Sequence, residues 1–473
     1  MRYLLTGIGW LILLGTAQAQ DSTLTYHANV ESALSTGQVP FWLHANRFGT
    51  VPVRGSYAAA QIGLTKLASR PGTQKKFFAW SAGIELAAFA GPQSALFLSD
   101  AYLAGWVGPM ELSVGQRRET VGLMDTTLTS GSLSMSGNSR PYPRLQLAIP
   151  QYFSLGFTRD FVAVKGTYSD GLLGKAHVIF GQVNEVPSTY LHHKSLYIRL
   201  GKPSQRLHLH GGFNHQAMWG GENLIFTGGL APAAAYKYVV IGKSWLNSRV
   251  GNHFGTIDLG AEWRARNWAY FAYRQNIYED GSLAGLTNIK DGLNGLRISR
   301  NTLPDQSGFV FKTLLLEFLN TKSQGGDIFD TNTKQFGRDN YYNHYVYSQG
   351  WSYRGRNLGT PVIPTQDLQR SDLPQNDSLL TVNNRLWAIH LGVIGNYRDV
   401  GFLAKGTFSR NFGAYGFAFN PARNQFSLLL EAEKPVTFAG GSFLSLKLAA
   451  DLGNLYPNNA ALVAGWRKRG VFQ

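Results

Sequence analysis

The sequence predicts an all-β protein, a transmembrane antiparallel outer-membrane β-barrel, and three observations predict it. Apolar and polar residues alternate with a period of two in one stretch after another. Those stretches run to ~9–11 residues, the length that carries a tilted strand across a bilayer. Aromatic residues such as Trp106, Trp268, Tyr278 and Trp466 stand near their ends, where an interfacial girdle belongs.

Composition narrows the alternatives. The chain has 473 residues, of which 15% are charged, 13% are aromatic and 54 are glycine. Hydrophobic residues make up 44%, yet the mean hydropathy is only −0.15. No apolar run of ~20 residues follows residue 20, which excludes a bundle of membrane helices. The aromatic content excludes a disordered chain. With no cysteine there is no disulfide framework, thiolate zinc site or cysteine nucleophile. No 20–50-residue repeat is visible, which argues against a propeller or solenoid.

Residues 1–19 read as a secretory signal peptide. Arg2 supplies the positive start, Leu4 to Leu14 the short apolar region, and Ala17-Gln18-Ala19 the cleavage site, leaving Gln20 first. The formal charge of +16 then drops by one, with the loss of Arg2. Residues 20–56 are expected to form a separate N-terminal segment, periplasmic or plugging, and 57–473 the barrel. The signal peptide and the barrel pattern together place the protein in the outer membrane.

Within the barrel, Phe78, Trp80, Ala82, Ile84 and Leu86 share one face against Ser81 and Glu85. Met110, Leu112 and Val114 oppose Glu111 and Ser113; Leu207 and Leu209 oppose His208 and His210. Ile257, Leu259, Ala261 and Trp263 oppose Asp258, Glu262 and Arg264. Trp387, Ile389 and Leu391 oppose His390, and Leu444, Leu446 and Leu448 oppose Ser445 and Lys447. Side chains alternate across a strand, so each stretch has one apolar face for lipid and one polar face for a lumen. Further strands are expected over 95–107, 153–166, 176–183, 194–201, 268–278, 309–320, 401–409, 426–433 and 460–472. The total is roughly 16–18. A soluble β-sandwich shares the alternation; strand length, the girdle and a strand-like C-terminus with Phe472 next to last favour the barrel. Residues 118–143, 218–250, 279–306, 321–341 and 350–382 do not alternate. They are expected to be extracellular loops or loops folded into the lumen.

Catalytic constellations are missing. There is no G-x-S-x-G elbow, H-E-x-x-H pair or P-loop. His192-His193 and the group His208, His210 and His215 read as lumen-facing polar residues rather than a metal site, because no supporting ligand set accompanies them. No cofactor is expected. The informative set is basic and aromatic. Arg117, Arg118 and Arg140 flank the Ser/Gly-rich run 128–133, and Trp351, Tyr353, Arg354 and Arg356 share a loop-like stretch with Tyr341 nearby. Arginine binds carboxylates with a planar fork, and aromatic faces pack on the C–H faces of sugars. The set suits an acidic polysaccharide. It suits equally a porin lumen for anionic solutes or loop contacts to lipopolysaccharide.

Several motifs together resemble the Wzi family of capsule-assembly proteins. They are Pro40-Phe-Trp-Leu-His-Ala-Asn-Arg-Phe-Gly49, Gly115-Gln-Arg-Arg-Glu119, the run 128–133 with Asn138-Ser-Arg-Pro-Tyr-Pro143, and His193 to Gly201. Gly212-Phe-Asn-His-Gln-Ala-Met-Trp-Gly-Gly221, which contains Trp219, and Asp339 to His344 leading into Gly350 to Gly355 complete the set. The resemblance implies a monomeric barrel of 18 strands with long loops constricting the lumen. It implies a non-enzymatic, lectin-like role in binding capsular polysaccharide at the cell surface, with an anionic porin as the alternative. Expected partners are acidic polysaccharide, lipopolysaccharide and outer-membrane lipid, and no nucleic acid. The candidate contact residues are Arg117, Arg118, Arg140, Trp219, Tyr341, Trp351, Tyr353, Arg354 and Arg356.

Overall fold

The computed structural model describes residues 23–69, 76–245, 248–279, 287–302, 308–330, 335–437 and 439–472. The expected signal peptide, Gln20 and Gln473 lie outside the described residues. Eighteen strands form one sheet. In chain order they are β1 (Leu24–Ser35), β2 (Tyr57–Lys66), β3 (Phe78–Ala90), β4 (Ala95–Val107), β5 (Met110–Gln116) and β6 (Arg144–Ser154). Then come β7 (Val162–His177), β8 (Glu185–Leu200), β9 (Leu207–Trp219), β10 (Asn252–Arg264), β11 (Trp268–Glu279) and β12 (Gly292–Arg300). The last six are β13 (Phe309–Asn320), β14 (Leu386–Tyr397), β15 (Val400–Ala414), β16 (Phe417–Val436), β17 (Ser442–Gly453) and β18 (Asn459–Val471). Each pairs antiparallel with the next, and β1 also pairs with β18, from Thr25 opposite Val471 to Ser35 opposite Ala461. The sheet therefore closes and leaves no edge.

Alternation decides the faces. Leu444, Leu446 and Leu448 on β17, like Trp80, Ile84 and Leu86 on β3, are exposed, while Glu85, Asp258, His390 and Lys447 between such residues are buried. In a membrane barrel this is the expected inversion: apolar side chains meet lipid and polar ones meet the filled lumen. Trp106 departs from the expected girdle. It points inward, with its indole N–H donating to Ser81 Oγ at 3.4 Å.

One end of the barrel carries short turns and both described chain ends; the other carries the long connections 36–56, 117–143, 220–251 and 321–385. Short turns mark the periplasmic end of such barrels and long loops the extracellular end. The boundary expected at residue 57 is corrected here, because β1 is already barrel wall. What remains, 36–56, enters the lumen from the long-loop end rather than the periplasmic one. The stretch expected at 153–166 straddles the β6–β7 turn, where Arg159 and Asp160 both take left-handed backbone angles. The stretch 176–183 is the tip of the β7–β8 hairpin, and β12 lies inside the expected loop 279–306.

Candidate functional site

Two loop segments fill the lumen below the extracellular mouth. In the first, the short helix α1 (Phe41–His44) is buried on every residue. Phe41 N donates to Asp451 Oδ2 of β17 at 2.9 Å, and the Trp42 indole donates to Thr407 Oγ1 at 3.2 Å. The second is the Ser/Gly-rich run. Glu317 of β13 accepts Thr129 Oγ1–H at 2.7 Å, Ser130 N–H at 2.7 Å and Ser130 Oγ–H at 2.6 Å, and also the Tyr273 hydroxyl. Asp258 accepts Leu123 N–H at 3.0 Å, Gln275 accepts Leu133 N–H at 3.0 Å, and the Leu128 carbonyl meets His390 Nε2 at 2.7 Å. Polar groups of the wall thus satisfy the backbone of an irregular segment, as burial demands. The run that Arg117, Arg118 and Arg140 flank, within a stretch expected to be an extracellular loop or one folded into the lumen, folds into the lumen.

Beneath it the lumen opens toward the periplasmic end in a cavity of about 950 Å³, lined by Arg47, Arg118, Glu433, Lys447, Arg467 and Arg469 among others. Arg117 and Arg118 belong here rather than at the cell surface. Gln116 pairs with Ala101, six residues down β4 from its extracellular start, about 20 Å along the strand. Arg117 grips Glu111 with both terminal nitrogens, at 2.6 and 3.1 Å. Arg118 bridges Asp100 at 3.0 Å and Glu85 at 2.6 Å. Both guanidiniums are already neutralised.

Arg140, Tyr353, Arg354 and Arg356 do come together. The Arg140 guanidinium lies 3.6 Å over the Phe97 ring, and its stem packs against Gly49, where a Cβ would sit 2.7 Å from Arg140 Cγ. Gly49 also has φ +64°, so both its backbone and its neighbour require glycine. Burial lowers the Arg140 pKa, and the charges of Arg354 and Arg356 lower it further. Arg354 is exposed and, among the described residues, pairs with no carboxylate; it sits 5.6 Å over Tyr353, which meets Tyr142 edge-on at 6.1 Å. Arg356 has an acid, Asp367 at 3.1 Å. Among the described residues these three guanidiniums therefore share one carboxylate.

The remaining candidates are structural in position. Tyr341 is 0% exposed and donates to Asp291 Oδ2 at 3.0 Å. Trp351 is 2% exposed and packs 5.3 Å from Phe254. Trp219 lies on the outer wall, not at the mouth. It shares its strand face with the lipid-exposed Leu207, Leu209 and Phe213, together with His215 and Ala217. Two short helices follow it, α2 (Glu222–Ile225) and α3 (Pro232–Ile241). α3 folds back over this outer face: Ala235, Val239, Ala217 and Trp219 form a cluster separate from the lumen core. Tyr236 OH donates to Asp170 at 2.7 Å and Lys194 Nζ donates to the Val240 carbonyl at 2.6 Å. The strap covers outward-facing Asp170, His192, His215 and His253, which would otherwise meet lipid. Among the described residues no group of three or more His, Asp or Glu is arranged to hold a metal.

A profile of the family "Capsule assembly protein Wzi" matches residues 35–363. No curated protein sequence matches the chain. Among solved structures, the Escherichia coli outer-membrane protein Wzi, involved in group 1 capsule assembly and a carbohydrate-binding β-barrel, superposes with a TM-score of 0.58 at 16% identity. That match covers 98% of this chain and 87% of the other. OccAB4 of Acinetobacter baumannii gives 0.48 at 9% identity over 96% and 100% of the two chains. OprD of Pseudomonas aeruginosa gives 0.45 at 9% over 97% and 98%. At 16% identity the likeness to the Escherichia coli barrel speaks for the fold alone.

Proposed function

Because the chain belongs to the Wzi family of capsule assembly proteins, we propose that it binds an acidic capsular polysaccharide at the extracellular mouth and helps anchor the capsule there, with no covalent step. One observation carries the contact site: Arg140, Arg354 and Arg356 crowd together beside Tyr353 with, among the described residues, a single carboxylate between them. Like charges held together are costly unless an anion comes to them, and guanidinium forks fit carboxylates. The ring of Tyr353 offers an apolar face to a sugar. Trp351 and Tyr341 support this rim from beneath, and Arg117 and Arg118 serve the lumen, so the contact set narrows to four residues. An anionic porin fits poorly with a lumen whose irregular segments are held by Glu317, Asp258 and Gln275.

We infer too that residues 1–19 are removed on export and that the barrel acts as a monomer among lipopolysaccharide. The test uses the purified barrel in detergent and the capsule polymer of its own bacterium, native or with its carboxyls reduced. Retention of the native polymer, weakened by carboxyl reduction, is expected. Equal retention of both would overturn the arginine rim, and no retention of either would overturn carbohydrate binding.

A further inference from the structure

At the same end of the barrel as the rim lies a smaller hollow of about 200 Å³, formed where three connections meet. Ile179 N donates to the Val346 carbonyl at 2.8 Å and Gln182 N donates to the Ile225 carbonyl at 2.8 Å, so residues 178–184, 220–251 and 344–347 are tied together. Phe226 and Trp245 meet edge-on at 5.6 Å on one side, and Tyr345, half exposed, stands on the other. Glu222, Arg249 and His344 also line it, and burial keeps His344 neutral. Glu222 is 5% exposed and accepts Gly220 N–H at 2.9 Å through one oxygen. Burial raises its pKa above the usual carboxylate range. Among the described residues neither Glu222 nor Arg249 forms an ion pair. A buried acid without a cation, and a guanidinium without an acid, are unusual neighbours.

We propose that this hollow is a subsite for one carboxylate-bearing pyranose residue of the polymer, a hexuronic acid. The inference rests on the carbohydrate-binding reading above. The volume is that of roughly seven waters at ~30 Å³ each, enough for one sugar ring. The negative faces of the Trp245 and Phe226 rings attract the polarised C–H face of the sugar. Glu222 exchanges hydrogen bonds with its hydroxyls, and Arg249 takes its carboxylate as a fork. Water satisfies the two polar groups without using the aromatic wall; the sugar satisfies both at once. Tyr345 and Arg354 belong to one connection, nine residues apart, so a single polymer reaches both places.

The experiment uses the whole purified barrel and two probes, methyl β-D-glucuronide and methyl β-D-glucoside, with ligand-observed saturation-transfer NMR. Its second measurement is affinity for the native polymer. Wild type is expected to transfer saturation to the glucuronide ring protons more than to the glucoside. Trp245→Ala should abolish that transfer and weaken polymer binding about tenfold. Arg249→Gln, a gentler change, should remove the preference for glucuronide while leaving some transfer, and Glu222→Gln should weaken both probes. Heat-modifiable migration of each variant checks that the barrel is folded. Absence of transfer in wild type overturns the subsite even if the polymer binds. Trp245-dependent transfer in a barrel that binds no polymer would keep the subsite and sink the capsule reading instead.

Discussion

Replacing Glu317 by alanine should unlatch the Ser/Gly-rich segment from the barrel wall. Three bonds reach the carboxylate from that segment, two from Ser130 and one from Thr129, all within 2.7 Å. Hydrogen bonds to a charged group contribute about 1.5–3 kcal/mol each, so simple addition would give about 4.5–9 kcal/mol. They share one acceptor, and water enters the space the side chain leaves, so the terms do not add. A net loss of about 3 kcal/mol is the reasonable figure, which raises local opening roughly a hundredfold. Asp258, Gln275 and His390 still hold the segment at other points, and the wall ladder is untouched, so the barrel stays folded. Hydrogen exchange read by mass spectrometry on peptides covering 124–136 should quicken by about that factor, and planar bilayers should show brief openings absent from wild type. Glu317→Gln keeps one accepting oxygen but turns an amide N–H toward the hydroxyls, so it should fall between. Unchanged exchange in a folded alanine variant would refute the latch.

On the lipid face, Leu448→Arg should cost about 2–4 kcal/mol, since Leu448 sits midway along β17 between Leu430 and Leu462 and is 52% exposed. Ser445→Arg, which enters the periplasmic cavity, should cost under about 1 kcal/mol by urea titration of folding into vesicles; equal costs would mean the faces are reversed. Arg354→Glu with Arg356→Glu should release polymer into the medium at unchanged barrel abundance, and wild-type binding should fall, without vanishing, as salt rises. Burial lowers His44 and His344 to about 3 each, so the folded loops exclude protons that an unfolded histidine takes up near 6.5. Stability of these loops is therefore complete above pH 6.5 and declines as pH falls toward 3, and proteolysis of 36–56 and 340–350 should be faster at pH 4 than at pH 7 while the barrel persists.

The wall was legible because lipid enforces alternation: the expected strands 95–107 and 309–320 coincide with β4 and β13. β12 escaped because Asn294 and Arg300 dilute its outward row around Leu296 and Ile298, while its lumen row runs from Leu293 through Gly295 and Arg297, so neither face alternates cleanly. β1 escaped because its lipid face is thin, with Ala28 before Val30 and Ser32 between Val30 and Leu34. The lumen contents were not legible, since Glu317 and Ser130 lie 187 residues apart and nothing local pairs them. Of the basic residues, composition alone could not separate Arg118, held by Glu85 and Asp100, from Arg354, which no acid among the described residues holds. The acids that neutralise Arg118 come from β3 and β4, so register rather than proximity in sequence decides which arginines are spent. Trp219 stands out within the Gly212–Gly221 motif, but its ring is walled between Tyr190 and Tyr236 at 5.0 and 5.7 Å under the external strap.

The bonds that hold residues 36–56 also set an order in time. Phe41 N–H waits for Asp451, which follows it by 410 residues, and Glu31 waits for Lys447, 416 residues later. Thr36 N likewise donates to the carbonyl of Ala460. The earliest part of the wall thus finds its partners only after the last strands have been made and delivered. Closure by β1 and β18 must come late, with the lumen segments gathered inside first, and contacts so distant in sequence make for slow folding. A chain ending before β17 should leave 36–56 open to protease however long it is given to fold, and protection of that stretch in such a chain would mean that the filling does not depend on the closing seam.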